Sequence, residues 1–366
     1  MRVLVVNAGS SSLKLSLVGD DDSTLAEHDF EAGNGQLDDR DLAAAVHSMG
    51  DIDATGHRVV HGGPRYPASV RVNPDLIGYL VTIADLAPLH IPAAIAGITA
   101  VHMLLPRVPA VACFDTAFHS HMPASAATYA IPEEWRKVHG IRRYGFHGFS
   151  HAYASRRAAE MLKRPSLELR VVTCHLGAGA SLAAVAGGRS VDTTMGFTPL
   201  DGLVMATRAG SIDPGSLMWL QQHAGISPAD MANALDTRSG LQALAGTPDM
   251  REVINRMGAE DEGARLAFDV YIHRLRASIA SMAAAMGGLD ALVFTGGVGE
   301  NSPAVRAAAV AGLHFLGVEI GPTLNASRGT DSDISAPTAR VPTLVIKSRE
   351  DIEMAHEVRR VLSDSG

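Results

Sequence analysis

A short pattern that occurs twice constrains the fold of this chain more than any other feature. Residues 3–18 contain a β-branched run, a small-residue turn at Gly9, and a second apolar run. Residues 171–185 repeat that order around Gly177 and Gly179. Each segment is typical of two strands joined by a tight turn, and their separation by about half the chain predicts two structurally similar halves. The strands alternate with helical patterns, which indicates an α/β protein.

The composition excludes several classes of protein. The chain has 366 residues, of which 46% are hydrophobic and 19% charged, which fits two globular domains and not a disordered chain. The net charge of −8 argues against a general binder of nucleic acids or anionic membranes. Two cysteines cannot build a disulfide framework or a four-cysteine metal site. The sequence contains no membrane-spanning or signal-peptide pattern, so we expect a cytoplasmic enzyme.

Basic residues and glycine occur together in three segments, residues 56–63, 142–151 and 206–214. An arginine beside a glycine can approach a phosphate with parallel N–H groups, and a histidine can carry charge near neutral pH. A further glycine-rich turn at 296–299 follows an apolar run and precedes a helical pattern. That order predicts an anion or nucleotide site at a helix N-terminus, although the spacing matches neither a Walker nor a Rossmann motif. Together these segments favour a phosphate-handling enzyme.

Two other patterns have structural interpretations. The pairs His57/His61 and His147/His151 have helical spacing, but the surrounding glycines disfavour a helix, and no third metal ligand is apparent. Apolar residues in 265–286 recur every three to four positions, which predicts a helix packed in the core or against a second subunit.

Several segments resemble the acetate kinase family, within the acetate, propionate and butyrate kinases. They follow the family order across nearly the whole chain: VLVVNAGSSSLK (3–14), GHRVVHGG (56–63), APLH (87–90), FDTAFH (114–119), RRYGFHG (142–148), CHLGAGAS (174–181), SVDTTMGFTPLDGLVMATRAGSIDP (190–214) and FTGGVGENS (294–302). The resemblance implies an α/β fold of the actin/sugar-kinase/Hsp70 type, with two duplicated ribonuclease-H-like domains around a cleft. It implies that domain I contains 1–115 plus 351–366 and domain II contains 116–350, with a homodimer formed through domain II.

The implied reaction is the reversible, Mg²⁺-dependent transfer of the γ-phosphoryl group of ATP to acetate by in-line displacement, giving acetyl phosphate and ADP. In the family pattern, Arg58 and Arg208 clamp the carboxylate and the phosphoryl group. His147 hydrogen-bonds that group in the transition state, with His90 nearby in support. Asp115 orients the acetate or an arginine, and it need not act as a base because a carboxylate is already ionised at pH 7.

The remaining roles implied by the resemblance concern binding. Mg²⁺ (or Mn²⁺) is expected at Asn7 and Glu350. The acyl group is expected in a small apolar pocket beside Arg58, formed by Val60, Leu89, Phe146 and Pro199. The residues expected to bind the phosphates and adenosine of ATP or ADP are Ser10, Ser12, Lys14, His175, Gly177, Gly179, Asp249, Met250, Arg251, Gly297, Val298 and Asn301.

The chain departs from the family pattern near these positions. Ala178 replaces the usual asparagine of the second phosphate loop, which removes a side-chain amide. Ile91, Phe149, Gly296 and Arg349 also replace other residues of the pattern. These departures keep three alternatives open: a propionate or butyrate kinase, a variant that uses pyrophosphate, and a catalytically impaired nucleotide-binding regulatory paralogue.

Overall fold

The computed structural model describes residues 1–9, 12–31, 39–88, 90–326 and 331–364. Contacts divide the chain into two units, each with one six-stranded sheet. Unit 1 contains residues 1–120 and 349–366, and unit 2 contains residues 121–348.

The strands in the described part of the chain are β1 Val3–Ala8, β2 Ser12–Val18, β3 Thr24–Glu31, β4 Ala54–Val59, β5 Val70–Arg71, β6 Ala110–Phe114, β7 Arg170–Leu176, β8 Ala180–Ala186, β9 Arg189–Thr193, β10 Ala291–Thr295, β11 Ser332–Asp333 and β12 Thr343–Val345. The α-helices there are α1 Asp39–Ser48, α2 Pro74–Thr82, α3 Ile91–Leu104, α4 Ala124–Ala127, α5 Glu133–His139, α6 Gly148–Leu162, α7 Pro214–His223, α8 Pro228–Thr237, α9 Gly240–Ala245, α10 Met250–Gly258, α11 Glu262–Ala285, α12 Gly296–Asn301, α13 Pro303–Val310, α14 Pro322–Ala326 and α15 Glu350–Ser363. Short 3₁₀ turns occur at Ala84–Leu86, Ala117–His119, Ser166–Glu168 and His314–Leu316.

The two sheets have the same topology. In unit 1 the strand order is β3-β2-β1-β4-β6-β5, in which β1, β4 and β6 are parallel and the other pairings are antiparallel. In unit 2 the order β9-β8-β7-β10-β12-β11 repeats those directions strand for strand. The duplication predicted from the two strand–turn–strand patterns is therefore confirmed, and the fold is a pair of ribonuclease-H-like halves.

The duplication extends to the register of the central strands. Val3 pairs with Ala54 in unit 1, and Val171 pairs with Ala291 in unit 2. Counting from these pairs, Asn7 and His175 occupy equivalent positions near the carboxyl ends of β1 and β7. In an open α/β sheet this edge is where ligand-binding side chains collect.

Four of the described helices start in the same way. Helices α2, α7, α8 and α13 begin at a proline, which fits the first helical position because its missing N–H would have no partner there. The preceding Asn73, Asp213, Ser227 or Ser302 accepts a hydrogen bond from a backbone N–H of the first turn.

Two expectations can now be compared with the structure. The apolar stripe of α11, which includes Tyr271, Leu275 and Ile279, is buried within unit 2 and packs against α9 and α10, so of the two predicted alternatives the core packing is confirmed. The glycine-rich segment after β10 is not an open loop, because α12 starts directly at Gly296. Within the described ranges, no helix has both the length and the apolar character that crossing a membrane requires.

Candidate functional site

A fork of hydrogen bonds fixes Arg58 at the carboxyl end of β4. Its Nε and Nη2 atoms donate to the two carboxylate oxygens of Asp115, at 2.8 and 2.6 Å. Asp115 follows β6 directly and is only 1% exposed. The remaining Nη1 atom donates to Oδ1 of Asn7 at 3.2 Å, and Oε2 of Glu350 lies 3.8 Å from Nε. Four of the predicted catalytic and metal residues therefore lie together in unit 1.

The charges of this group support one another. Burial opposes the charged form of Arg58, but the carboxylates of Asp115 and Glu350 outweigh it and raise the pKa of the guanidinium. Burial raises the pKa of the Asp115 carboxyl, while Arg58 and His90 act in the opposite direction. His90 is the residue before α3, close enough to Asp115 for its charge to act on that carboxyl. The arrangement holds the charged Arg58 guanidinium beside the oxygens of Asp115, Asn7 and Glu350.

The oxygens around Arg58 suit Mg²⁺ in their chemistry. Magnesium takes hard oxygen ligands and usually keeps waters, using one or two carboxylates plus phosphate oxygens. Asn7 Oδ1 and the Glu350 carboxylate both belong to that class and share Arg58 as a neighbour. Among the described residues, no group of three or more His, Cys, Asp or Glu side chains could hold a metal alone. The two oxygen donors therefore fit an ion that also binds phosphate and water.

Other predicted residues of unit 1 are less informative. Lys14 is exposed on β2, where its Nζ atom lies 3.1 Å from Oδ2 of Asp29 on β3. Val60 is buried directly after β4. Ser10 and Leu89 lie outside the described residues, as does the side chain of Ser12.

In unit 2, His147 precedes α6 in the left-handed backbone region, with φ of 56°. Its Nδ1 atom lies 2.9 Å from Oγ of Ser181, and its ring stacks on His175 with centroids 4.4 Å apart. Nδ1 of His175 lies 2.7 Å from Oγ of Ser150. His151 lies in the first turn of α6, so the sequence-based objection to a helix here is wrong. Each stacked imidazole is therefore fixed by a serine hydroxyl.

Gly179 lies where His147 and Arg208 converge. A Cβ atom at residue 179 would lie 3.3 Å from Cε1 and Nε2 of His147 and 3.9 Å from Nη1 of Arg208. The missing side chain therefore leaves an imidazole edge and a guanidinium facing one small space. Arg208 Nε donates to Oδ1 of Asp236 at 2.6 Å, and Ala206 N donates to Ala178 O at 3.1 Å, which ties the arginine's turn to the glycine hairpin.

Beside the hairpin 177–179, unit 2 contains a cavity of about 710 Å³. Its walls are largely apolar, and Ile254 and Tyr271 contribute to them. Ala178 lines it with only a methyl group. The sequence-predicted nucleotide residues that line it are Gly177, Asp249, Met250, Arg251, Gly297, Val298 and Asn301. The hairpin 177–179 thus joins the cavity to the space beside His147 and Arg208.

The N-terminus of α12 is not the anion site that the glycine-rich pattern predicts. Oε1 of Glu300, on the same helix, accepts hydrogen bonds from the backbone N–H of Gly296 and of Ser348, both at 2.9 Å. The first N–H group of this helix is therefore bonded to a carboxylate of the same helix and does not face a phosphate. What α12 offers the cavity is the surface of Gly297, Val298 and Asn301.

Phe146 is buried beside His147, and Pro199 is half-buried in the same unit. Their role in an acyl pocket, with Val60 of unit 1, stays a prediction.

Sequence reasoning missed the residues that hold the predicted ones in place. Asp236 lies in the last turn of α8, a segment whose polar residues are typical of a solvated helix face. Ser181 and His151 lie inside recognised segments, yet their spacing does not reveal that Oγ of Ser181 meets both imidazoles. The packing of α6 against β8 brings them together.

Comparisons with known proteins identify the family of the chain. The Acetokinase family model matches residues 20–356. An acetate kinase of Synechococcus sp. (strain JA-2-3B'a(2-13)) is 45% identical over 402 aligned positions that cover 99% of both chains. An acetate kinase of Streptomyces griseus subsp. griseus is 44% identical, covering 100% of this chain and 97% of the relative.

Solved structures give the same result. The crystal structure of Porphyromonas gingivalis acetate kinase matches with a TM-score of 0.90 and 35% identity over 99% of both chains. A propionate kinase from Francisella tularensis subsp. tularensis SCHU S4 matches with a TM-score of 0.90 and 37% identity, over 98% of this chain and 99% of its own. A family model that covers most of the sequence, together with full-length relatives at this identity, shows that the chain belongs to the acetokinase family.

Proposed function

We propose that this protein is an acetate kinase that transfers the γ-phosphoryl group of ATP reversibly to acetate, giving acetyl phosphate and ADP. Membership of the acetokinase family makes the chain a kinase. The observation that carries the specific proposal is the hairpin 177–179, which connects a nucleoside-sized cavity with the space facing His147 and Arg208. A nucleotide in the cavity can thus direct its phosphates toward an imidazole and a guanidinium.

The reaction needs little covalent work from the protein. An acetate oxygen attacks the γ-phosphorus, the bond from that phosphorus to the bridging oxygen breaks, and its electron pair leaves with ADP. Acetate is ionised at neutral pH, so no general base is required. The protein's part is to hold the reactants in line and to neutralise charge on the transferring oxygens. His147 and Arg208 hydrogen-bond the phosphoryl group, and Arg58, held by Asp115, binds acetate.

We propose that Asn7 and Glu350 hold Mg²⁺. A magnesium ion bound there would neutralise charge on the phosphate oxygens. Asn7 and Glu350 contribute oxygen atoms, and Arg58 fixes the amide of Asn7 through the 3.2 Å hydrogen bond. Replacing Glu350 by glutamine should raise the Mg²⁺ concentration needed for half-maximal activity.

Two properties of the assembly and its location complete the proposal. We propose a homodimer formed through unit 2, supported by the exposed apolar side chains of Met218 and Trp219 on α7. Sedimentation analysis of the wild type and of Trp219→Ser tests it, since a monomeric wild type would contradict the proposal. We also propose that the enzyme is cytoplasmic, because Cys113 and Cys174 are both free and buried, as suits a reducing compartment.

The deciding experiment measures ADP formation from ATP with acetate, propionate and butyrate, and acyl phosphate formation with pyrophosphate in place of ATP. We expect turnover with ATP and the highest kcat/KM with acetate. Higher kcat/KM with propionate would support the kinship with the Francisella propionate kinase. Activity with pyrophosphate and none with ATP would contradict the proposed donor and give the loss of the amide at Ala178 a functional meaning.

A regulatory paralogue without catalysis is the alternative from another class. The intact fork between Arg58 and Asp115, and the convergence of His147 and Arg208, argue against it. ATP binding without turnover in the wild type, unchanged by Arg208→Ala, would instead support it.

A further inference from the structure

A run of hydrogen bonds leads from half-buried His147 into the core of unit 2. Nδ1 of His147 lies 2.9 Å from Oγ of Ser181, and the same Oγ lies 2.8 Å from Nε2 of His151. Nδ1 of His151 lies 2.7 Å from Oγ1 of Thr173. Ser181, His151 and Thr173 are fully buried. The position of each hydrogen in this run is therefore decided by the neighbouring side chains and not by water.

The number of hydrogens limits which groups donate and which accept along this run of hydrogen bonds. A serine hydroxyl has one hydrogen, and a neutral imidazole has one N–H and one acceptor nitrogen. If Ser181 donates to Nδ1 of His147, it accepts from Nε2–H of His151, and Nδ1 of His151 then accepts from Thr173. In the opposite order, Nδ1–H of His151 would donate to Thr173, and the hydroxyl hydrogen of Thr173 would be left with the contact to Ala183 O, which at 3.5 Å is at the limit of a hydrogen bond. A buried hydroxyl would then be poorly satisfied, so the first order is favoured.

Titratable groups lie close to His147. They include His151 on α6, His175 stacked from β7, and Arg208 from the turn at 205–208, whose Nε atom donates to Asp236. A nearby guanidinium disfavours a second proton on the imidazole. A neutral ring has one proton to place, and its Nε2 atom lies on the edge beside Gly179, where Arg208 also points.

We propose that Ser181, supported by His151 and Thr173, is a positioning residue that keeps the proton of neutral His147 on Nε2. This inference rests on the proposed function, in which His147 hydrogen-bonds the transferring phosphoryl group. With the proton on Nε2, the imidazole presents an N–H donor to the anionic oxygens. With the proton on Nδ1, it would present a lone pair and repel them.

The tautomer can be observed directly by ¹⁵N NMR of the full-length protein labelled in its histidine rings, with His147 assigned by comparison with His147→Gln. At pH 7.5 we expect Nε2 of His147 to show the shift of a protonated nitrogen and Nδ1 that of an unprotonated one. Ser181→Ala should lose this pattern, whereas Ser181→Thr, which keeps the hydroxyl, should retain it. Ser155→Ala is the matched control, because Ser155 is buried on α6 and its hydroxyl donates to the carbonyl of Ala152, in the preceding turn of the same helix. A proton on Nδ1 in the wild type, or on both nitrogens, would overturn the proposal.

Kinetics provide the second measurement. The wild-type kcat should stay level from pH 7 to 9, because neutral His147 already carries the useful proton. Ser181→Ala should lower kcat about 10²-fold, the scale of losing one oriented donor, with little change in the KM for ATP. Its residual kcat should fall further with rising pH, since only doubly protonated His147 then supplies Nε2–H. A Ser181→Ala enzyme with the wild-type kcat and pH profile would refute the proposal. A protein without kinase activity whose Nε2 is protonated would refute the proposed function alone.

Discussion

Arg58 and Asp115 are joined by two parallel hydrogen bonds across adjacent strands, 57 residues apart in the chain. The fork leaves the Nη1 amino group of the guanidinium, which donates to Oδ1 of Asn7. Arg58 therefore has a fixed orientation before any substrate arrives, and positioning of this kind is the main contribution a protein makes to phosphoryl transfer.

Asp115→Asn and Asp115→Ala together should distinguish the role of Asp115 in orienting Arg58 from its role in stabilising the fold. An amide of the same size can accept only on its oxygen, so one arm of the fork is lost and kcat should fall about 10²-fold. Asp115→Ala should also lower the free energy of unfolding by about 3 kcal/mol, because it leaves a mostly buried cation without its partner. Steady-state kinetics and urea unfolding measure both effects. Asp51→Asn, in an exposed pair with Arg2, is the control. A wild-type kcat in Asp115→Asn would contradict this role.

Gly179→Ala tests whether the transferring phosphoryl group binds in the space beside Gly179 that His147 and Arg208 face. The backbone of Gly179 is outside the left-handed region, so alanine is conformationally acceptable, but its Cβ would press on the imidazole at 3.3 Å. We expect kcat to fall about 10-fold to 100-fold with little change in melting temperature, because displacement of a reacting group is costly in rate. Gly258→Ala has open space around the new Cβ and ends α10, so it should leave kcat unchanged. Equal kinetics for the two variants would count against the proposed position of the phosphoryl group.

Gly297→Leu tests the cavity and distinguishes the phosphoryl donors. A Cβ at Gly297 meets no atom within 4 Å, so a larger side chain fits the fold and projects into the space for the nucleoside. The KM for ATP should rise at least 10-fold, while kcat at saturation and the melting temperature change little. Titration with ATP and, separately, with pyrophosphate measures the effect. An unchanged KM for ATP would place the nucleoside elsewhere.

His57 should make the protein sensitive to acid. The side chain is buried in β4, and burial lowers its pKa from 6.5 to about 3, with the charge of His102 acting in the same direction. Between these values the unfolded chain binds a proton that the folded chain does not. The stability contributed by neutral His57 is therefore complete above about pH 6.5 and decreases as the pH falls toward 3.

The measurement for this prediction is the free energy of urea unfolding between pH 7 and pH 4 for the wild type and His57→Gln. The wild type should lose more stability than the variant over this range. His139→Gln, at an exposed position, should follow the wild type. Parallel curves for His57→Gln and the wild type would show that His57 does not carry this dependence.

The sequence was sufficient to predict the duplicated fold because each repeated pattern is local and lies in a short hairpin. Arg58, Asp115 and the cavity-lining residues could be placed for a similar reason, since each lies in a contiguous segment that resembles the family. The partners of those residues could not be placed. Asp236 is 28 positions from Arg208, and nothing in its own helix marks it as the partner of an arginine.

Two local rules also failed for identifiable reasons. Glycine disfavours the interior of a helix, but Gly148 is the first residue of α6, where its cost is small, so the helix starts despite the glycines around His147. The free N–H groups expected after β10 are not all free, because Glu300 turns back toward the start of its own helix. The first outcome depends on where in the helix the glycine lies, and the second depends on where one carboxylate side chain points.

The matching register of the two sheets has a consequence for how charge is divided between them. Counting from the paired strands, Asn7, Arg58 and Asp115 in the first sheet correspond to His175, Thr295 and Ser348 in the second. One set contains a cation and an anion, whereas the other contains a histidine and two hydroxyl groups. The same three backbone positions thus carry an amide, a guanidinium and a carboxylate in one half, and an imidazole and two hydroxyl groups in the other. The two copies of the fold have become chemically unequal at equivalent places.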